Sequence, residues 1–293
     1  MTTATPMDPQ QRPTPAAPAA PQNAASAQRV PVLEAALPGL WAGFLPAVPR
    51  EDDRHLASQA RRALTAAGLP HPAPAPLLLR QQHTADIFSL AGSNGHPPRP
   101  PGQDSTQPGP GANPFDGAES TLDVGGWLAV KTADCVPLLA VHPQGQAYAA
   151  LHAGWRGTAL GILPALLHRW RDQDGALADV RLAFGPHIRA CCFQVRDDCL
   201  AHFDPAHLDG AVSPDPTLPP GQAYRLSLAQ VLRTQATALG ITPGQIVDEG
   251  HCTVCHRDAG QPTGAAPYAS HRRALREGIP LQATNLAVIG RRD

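Results

Sequence analysis

The sequence predicts an α+β fold built on mixed β-sheets, and three observations carry that prediction. Apolar runs of strand length and helical leucine and alanine periods are interspersed without regular βαβ alternation, which argues against a doubly wound sheet. Neither a Walker loop nor a dinucleotide-type glycine loop occurs. Proline-rich stretches interrupt the 293 residues, and the remainder is about the size of a single domain.

Residues 1–30 are dominated by Ala, Pro, Thr, Gln and Ser and read as a disordered tail. A single domain over 31–293 is then expected. It is interrupted near 93–120 by a disordered insertion carrying Pro97, Pro98, Pro100, Pro101, Pro108 and Pro110. A third such patch covers 213–221. Between these, 52–69 is helical in pattern, with Leu56, Ala60, Ala63, Leu64 and Ala67 on one face. Residues 77–88 read as strand, turn and strand, and 127–130 as a short strand. An apolar run at 136–141, a turn at His142-Pro143-Gln144-Gly145 and a returning run at 146–151 form a hairpin. A helical pattern follows through Leu160, Leu163, Leu166, Leu167 and Trp170, and Pro164 favours a start near Leu163. Residues 180–184 form a strand, 226–239 a helix stopped by Gly240, and 246–249 and 286–289 the last strands.

Bulk properties exclude several classes. A formal net charge of −1 argues against a nucleic-acid or anionic-membrane surface, so any anion is expected to meet a local arginine cluster. No run approaches the ~18 apolar residues of a membrane span. The N-terminus lacks signal-peptide features, and six cysteines are few for a disulfide scaffold of this length. A cytoplasmic location is the expectation.

The chemistry concentrates in three segments: Arg80-Gln81-Gln82-His83-Thr84, Lys131-Thr132-Ala133-Asp134-Cys135 and Leu151-His152-Ala153-Gly154-Trp155-Arg156-Gly157. Two imidazoles and a thiolate form a three-ligand zinc shell with one open tetrahedral position, the arrangement of a catalytic rather than a structural ion. A hairpin centred between Pro143 and Gln144 sets Cys135 opposite His152 on one face, where Cβ atoms are roughly 4.5–5.5 Å apart. His83 must come from a separate strand. Asp134, beside the thiolate, is a candidate proton carrier.

These residues resemble the YfiH family, also called the laccase-domain or polyphenol oxidase family, whose members are understood as purine nucleoside phosphorylases. Its histidine-alanine-glycine-tryptophan-arginine-glycine signature stands unchanged at His152 to Gly157, and its alanine-aspartate-cysteine motif at Ala133-Asp134-Cys135. Gln81-Gln82-His83-Thr84 resembles its first histidine motif, with Thr84 in place of glycine. The Gly-Pro-x-Ile and Cys-Cys-aromatic stretch, the Cys252-Thr253 pair and Ser270-His271-Arg272-Arg273 complete the likeness. Three further features differ. The family's threonine-arginine-x-glycine-glycine loop has no counterpart, Gly43-Phe44-Leu45-Pro46 being nearest by position. Gln194 stands where glutamate is common, and Leu275-Arg276-Glu277-Gly278 replaces a threonine-glycine-arginine.

The resemblance implies a YfiH-like sandwich of mixed sheets covered by helices, with zinc on His83, Cys135 and His152. It implies phosphorolysis of adenosine, inosine or methylthioadenosine, or deamination of adenosine by water. Purine nucleoside and phosphate are the expected partners, with Arg156, Ser270, Arg272 and Arg273 as the candidate substrate and phosphate groups. Two rivals stand beside this reading. One is a metal-free cysteine hydrolase with Cys135 as nucleophile and His152 or His83 as base. The other is a copper-dependent polyphenol oxidase, with copper as the alternative occupant. Against it, none of the 13 histidines forms a His-x-His pair and the only methionines are Met1 and Met7. Cys252-Thr253-Val254-Cys255-His256 invites a second-metal reading but shows no matching second pair. Cys191 and Cys192 read as small buried apolar residues.

Overall fold

The computed structural model describes residues 27–49, 56–66, 76–90, 115–257 and 266–292. The chain begins with β1 (Gln28–Arg29), α1 (Pro31–Ala36), β2 (Leu40–Pro49), α2 (Leu56–Ala66), β3 (Leu77–Leu78) and β4 (Ile87–Ser89). Four strands follow, β5 (Gly117–Thr121), β6 (Trp127–Thr132), β7 (Val136–His142) and β8 (Ala147–Ala153). Then come α3 (Trp155–Ala159), α4 (Ile162–Asp174), β9 (Arg181–Phe184), β10 (Gln194–Val195), α5 (Asp197–Leu200), β11 (Val212–Pro214) and β12 (Tyr224–Leu226). The last elements are α6 (Leu228–Ala238), β13 (Ile246–Asp248), α7 (His271–Glu277) and β14 (Ala283–Arg291).

The fold is α+β with mixed sheets, as the sequence predicts. A six-stranded sheet runs β13-β9-β7-β8-β5-β4, a five-stranded sheet β1-β2-β14-β6-β3, and a small one β10-β12-β11. Parallel pairs, β13 with β9, β4 with β5 and β3 with β6, sit among antiparallel ones.

Side-chain alternation stacks these sheets. Every residue of β7 and β8 is buried, so both strand faces are covered and both strands read as unbroken apolar runs. Leu139, Val141, Tyr148 and Ala150 point into a core shared with Phe44, Leu128, Val130, Ala287 and Ile289 of the five-stranded sheet. The alternate residues, Val136, Leu138, Ala149 and Leu151, meet Leu163, Leu167 and Trp170 of α4 and Leu228 and Leu232 of α6. On the far side of the five-stranded sheet, Ala60 and Leu64 of α2 pack against Trp41, Trp127 and Val288. The layers are therefore helix, sheet, sheet, helix. No helix among the described residues is long and apolar enough to cross a membrane.

Local chemistry explains the helix boundaries. The helical pattern after the hairpin breaks in two at Gly161, whose φ of +82° is left-handed and costs glycine little. Pro164 then lies in the first turn of α4, where a missing N–H leaves no bond unmade. Glu119 of β5 ties α4 down, accepting from Arg169 Nη1 (2.6 Å) and Trp170 Nε1 (2.9 Å). Ser227 caps α6 by accepting from Gln230 N.

Three expectations are corrected, and one segment is placed. Gln28–Arg29 pairs with β2 and Val30 is buried, so residues 28–30 belong to the fold and not to a tail; residues 1–26 lie outside the described residues. The last part of the span read as an insertion is ordered, because Gly117–Thr121 is a buried strand between β4 and β8; residues 93–114 lie outside the described residues. The patch at 213–221 contributes to β11 and holds buried Asp215, which accepts from Arg225 (3.0 Å) and Thr217 (2.7 Å). Gly43-Phe44-Leu45-Pro46 is the interior of β2, and the segment after it, 50–55, lies outside the described residues.

Candidate metal centre

His83 lies on a loop fixed at both ends. The Gln81 amide pairs twice with the β6 backbone, donating to Lys131 O (2.7 Å) and accepting from Lys131 N (2.8 Å). On the other side Asp116 Oδ2 accepts from Gln82 N (3.1 Å), Thr84 N (2.6 Å) and Thr84 Oγ1 (2.9 Å). His83 itself takes a left-handed φ of +62°, uncommon for a side-chain-bearing residue and held here by those flanking bonds. Thr84, where the family carries glycine, adds an anchor through its hydroxyl.

Cys135 immediately precedes β7, and His152 lies near the end of β8. The turn centre is one residue off the predicted one, which shifts the pairing by two: Pro137 opposes His152 and Val136 opposes Ala153, and the turn is centred between Gln144 and Gly145. Cys135 is therefore diagonal to His152, two residues along the strand and on the same face. The donor atoms of His83, Cys135 and His152 lie within 4.8 Å of one another. His83 is exposed, Cys135 half-buried and His152 buried.

The signature between His152 and Gly157 has a steric reason. A Cβ on Gly154 would stand 2.6 Å from His83 Nδ1 and 3.0 Å from Cys135 Sγ. A Cβ on Gly157 would stand 2.7 Å from Thr84 O. Both glycines let the His83 loop close onto the start of α3, and the space beside Gly154 is the cradle of the donor cluster.

The electrostatics suit a cation. His152 Nδ1 bonds Asp116 Oδ1 at 2.6 Å, which turns Nε2 toward the cluster in the carboxylate–histidine–metal pattern. Burial alone would raise the Asp116 pKa, but hydrogen bonds from His152 and the Thr84 backbone hold it down at about 2. Without a metal, burial opposes charge on both Cys135 and His152. Their mutual attraction, together with His83 beside the thiol and Asp116 behind His152, outweighs it, holding the Cys135 thiol down at about 6 and His152 up at about 9. The residues fit a metal: two nitrogens and a sulfur converge, one nitrogen is oriented from behind, and among the described residues no fourth His, Cys, Asp or Glu joins the group. The donors open into a cleft of about 340 Å³ also lined by Lys131, His271 and Leu281, near the lower end of the roughly 300–1,000 Å³ of small-molecule sites.

The other predicted site residues do not line this cleft. Asp134, with φ +108°, accepts from Thr253 Oγ1 (2.7 Å) and Arg272 N (2.7 Å), so both carboxylate oxygens are engaged. Ser270 caps α7 by accepting from Arg273 N. The Arg273 guanidinium donates to Thr253 O (2.6 Å) and to Tyr268 O, and Arg272 donates to Gln194 O. Arg156 lies 4.2 Å over the Trp155 ring. None of these five lines the cleft. Gln194, in the family's glutamate position, donates to Asp215, a contact that a second carboxylate could not make.

Asp116 is the functional residue that sequence reasoning misses, because it falls inside the span read as insertion. The available signal is slight: the proline run stops at Pro114, and Phe115 introduces a strand-like stretch.

Fold and site together define a class: an α+β protein of stacked mixed sheets with an open His, Cys, His centre in a cleft. The chain belongs to the multi-copper polyphenol oxidoreductase laccase family, whose sequence model matches residues 39–277, and the YfiH resemblance is thereby borne out. It is 34% identical over 251 residues to the purine nucleoside phosphorylase YlmD of Geobacillus stearothermophilus, covering 83% of this chain and 81% of that one. A protein named adenosine deaminase RL5, from an unknown prokaryotic organism, is 35% identical over 130 residues, 44% of this chain and 48% of its own length. The crystal structure of YlmD from Geobacillus stearothermophilus superposes with a TM-score of 0.67 at 26% identity, covering 93% of this chain and 98% of that one.

Proposed function

We propose that this protein is a zinc-dependent purine nucleoside phosphorylase that also deaminates adenosine. The observation that carries the reading is the open three-donor centre at the wall of a nucleoside-sized cleft, in a chain whose relatives include a phosphorylase and a deaminase. His83, Cys135 and His152 would hold the zinc. When bound, it supplies a Lewis acid that polarises substrate or activates water.

In phosphorolysis a phosphate oxygen bonds to the sugar's anomeric carbon. The bond from that carbon to the base nitrogen breaks, and its electron pair leaves with the base, which takes a proton. Lys131 and His271 are, beside the three donors, the ionisable groups among the described residues that line the cleft, placed to face phosphate or carry that proton. Arg272 and Arg273 act instead through the walls, since their guanidinium groups are bonded to backbone carbonyls. Asp134 is a positioning residue, tying the segment before Cys135 to α7 and Thr253.

One observation favours a rival: Asp116, His152 and Cys135 also follow the order of a carboxylate–imidazole–thiol triad. A hydrolase needs one base, however, and here a second imidazole, His83, converges on the same sulfur. That redundancy is what a metal requires. The test is incubation of zinc-loaded protein with adenosine, inosine or methylthioadenosine, with and without phosphate, followed by chromatography. Ribose-1-phosphate (or its methylthio analogue) appearing only with phosphate supports phosphorolysis, and inosine from adenosine without phosphate supports deamination. No product from any nucleoside overturns both.

A further inference from the structure

A second group of metal-capable side chains lies away from the cleft. Cys191, Cys192, Cys252 and Cys255 place four sulfur atoms within 4.8 Å of one another, with Cys191 and Cys255 3.5 Å apart. None of the four lines the cleft, and none forms a disulfide. The pair that Cys252 and Cys255 lack in sequence is thus supplied by Cys191 and Cys192. The reading of those two as buried apolar residues is corrected: Cys191 is exposed and Cys192 half-buried.

Backbone contacts bring the two pairs together. His187 forms an isolated parallel bridge with Cys252, reinforced by Thr253 N donating to His187 O (3.0 Å). Cys192 and Phe193 both donate to Arg189 O, closing the turn that presents Cys191 and Cys192. His256 N donates to Cys252 O (2.9 Å), which closes the Cys-x-x-Cys turn so that both its sulfurs face one way.

We propose that these four thiolates bind a second, structural zinc ion. A tetrahedral ion with Zn–S bonds of about 2.3 Å sets its sulfurs about 3.8 Å apart, a spacing the present cluster reaches by small side-chain rotations. Four sulfur donors select zinc over the hard cations, which take oxygen. They also complete the shell, leaving no position for water, so the ion is closed and structural where the cleft ion is open. Binding releases the protons of the thiols it recruits. Exposed Cys191 and Cys255 give the ion a way in. The ion would staple the turn after β9 to the 252–255 segment. That segment supplies Thr253 to Asp134 and the carbonyls that Arg273 holds, so the staple stiffens the cleft from behind.

The test uses the full chain, reduced and zinc-reconstituted, with metal counted by mass spectrometry. Wild type should hold about two zinc ions per chain, Cys135→Ala about one, and Cys135→Ala combined with Cys255→Ser close to none. Cobalt substitution of Cys135→Ala, which leaves all four cluster cysteines in place, should give the intense thiolate-to-cobalt absorption of a four-sulfur tetrahedral site. Metal-free Cys135→Ala without that absorption overturns the proposal. So does iron in place of zinc, or a Cys191–Cys255 disulfide that persists in the zinc-loaded protein. Nucleoside turnover is not read, so this outcome is independent of the catalytic assignment.

Discussion

At the scale of single residues, the account turns on Asp116. One of its carboxylate oxygens orients His152 and the other gathers the His83 loop, so a single side chain sets two of three donors. Asp116→Ala should weaken cleft zinc binding about 10–100-fold, read by competition with a chromophoric chelator. It should also cost roughly 2–3 kcal/mol in urea unfolding, because buried donors lose their acceptor. The pH dependence follows from the same carboxylate. Its folded pKa of about 2 lies below the ordinary value of 3.8, so its stabilising contribution is fully present above that ordinary value. The contribution is lost as pH falls through about 2 and amounts to on the order of 2 kcal/mol. Asp116→Asn should flatten the acid limb of the stability profile between those values. The convergence of His83, Cys135 and His152 was legible in part: a hairpin brings Cys135 and His152 to one face, whereas no local spacing delivers His83. Asp116 was not, since a lone carboxylate after a proline-rich stretch carries no pattern.

At the scale of elements, the β7–β8 hairpin and α6 were legible because burial imposes an unbroken apolar run on one and a helical stripe on the other. The hairpin's centre was off by one residue, since turn composition fixes a turn's existence better than its register. β2 was missed for a physical reason. Its Pro46 sits at a bulge, where Ala47 takes φ +46° and the register against β14 shifts between Thr284 and Leu286. There Asn285 Oδ1 accepts from Ala47 N (3.1 Å), so a proline that argues against a strand is absorbed by an irregularity. Two element-level predictions follow from close contacts. Gly154→Ala should lose the cleft zinc while circular dichroism stays unchanged, because its Cβ meets His83 and Cys135 rather than the core; retained zinc contradicts the cradle. Glu119→Ala should cost roughly 2–3 kcal/mol in denaturant titration by stranding Arg169 and buried Trp170 Nε1, with zinc content unaltered.

For the whole molecule, the α+β class was readable from the mixture of strand and helix periods. The order of layers was not, because the sheets meet through residues far apart in sequence, such as Leu139 and Ile289. Stacking puts the ends of β6 and β8 and the start of β14 beside α7 and opens the cleft there. The central claim is that His83, Cys135 and His152 share one metal on which turnover depends. The most direct measurement is the rate of ribose-1-phosphate formation from adenosine and phosphate as zinc is titrated into stripped protein, with Cys135→Ala alongside. The account predicts a rate that rises with cleft occupancy in the wild type and stays at background in the variant. Turnover in the stripped protein, or equal turnover by Cys135→Ala, would contradict it.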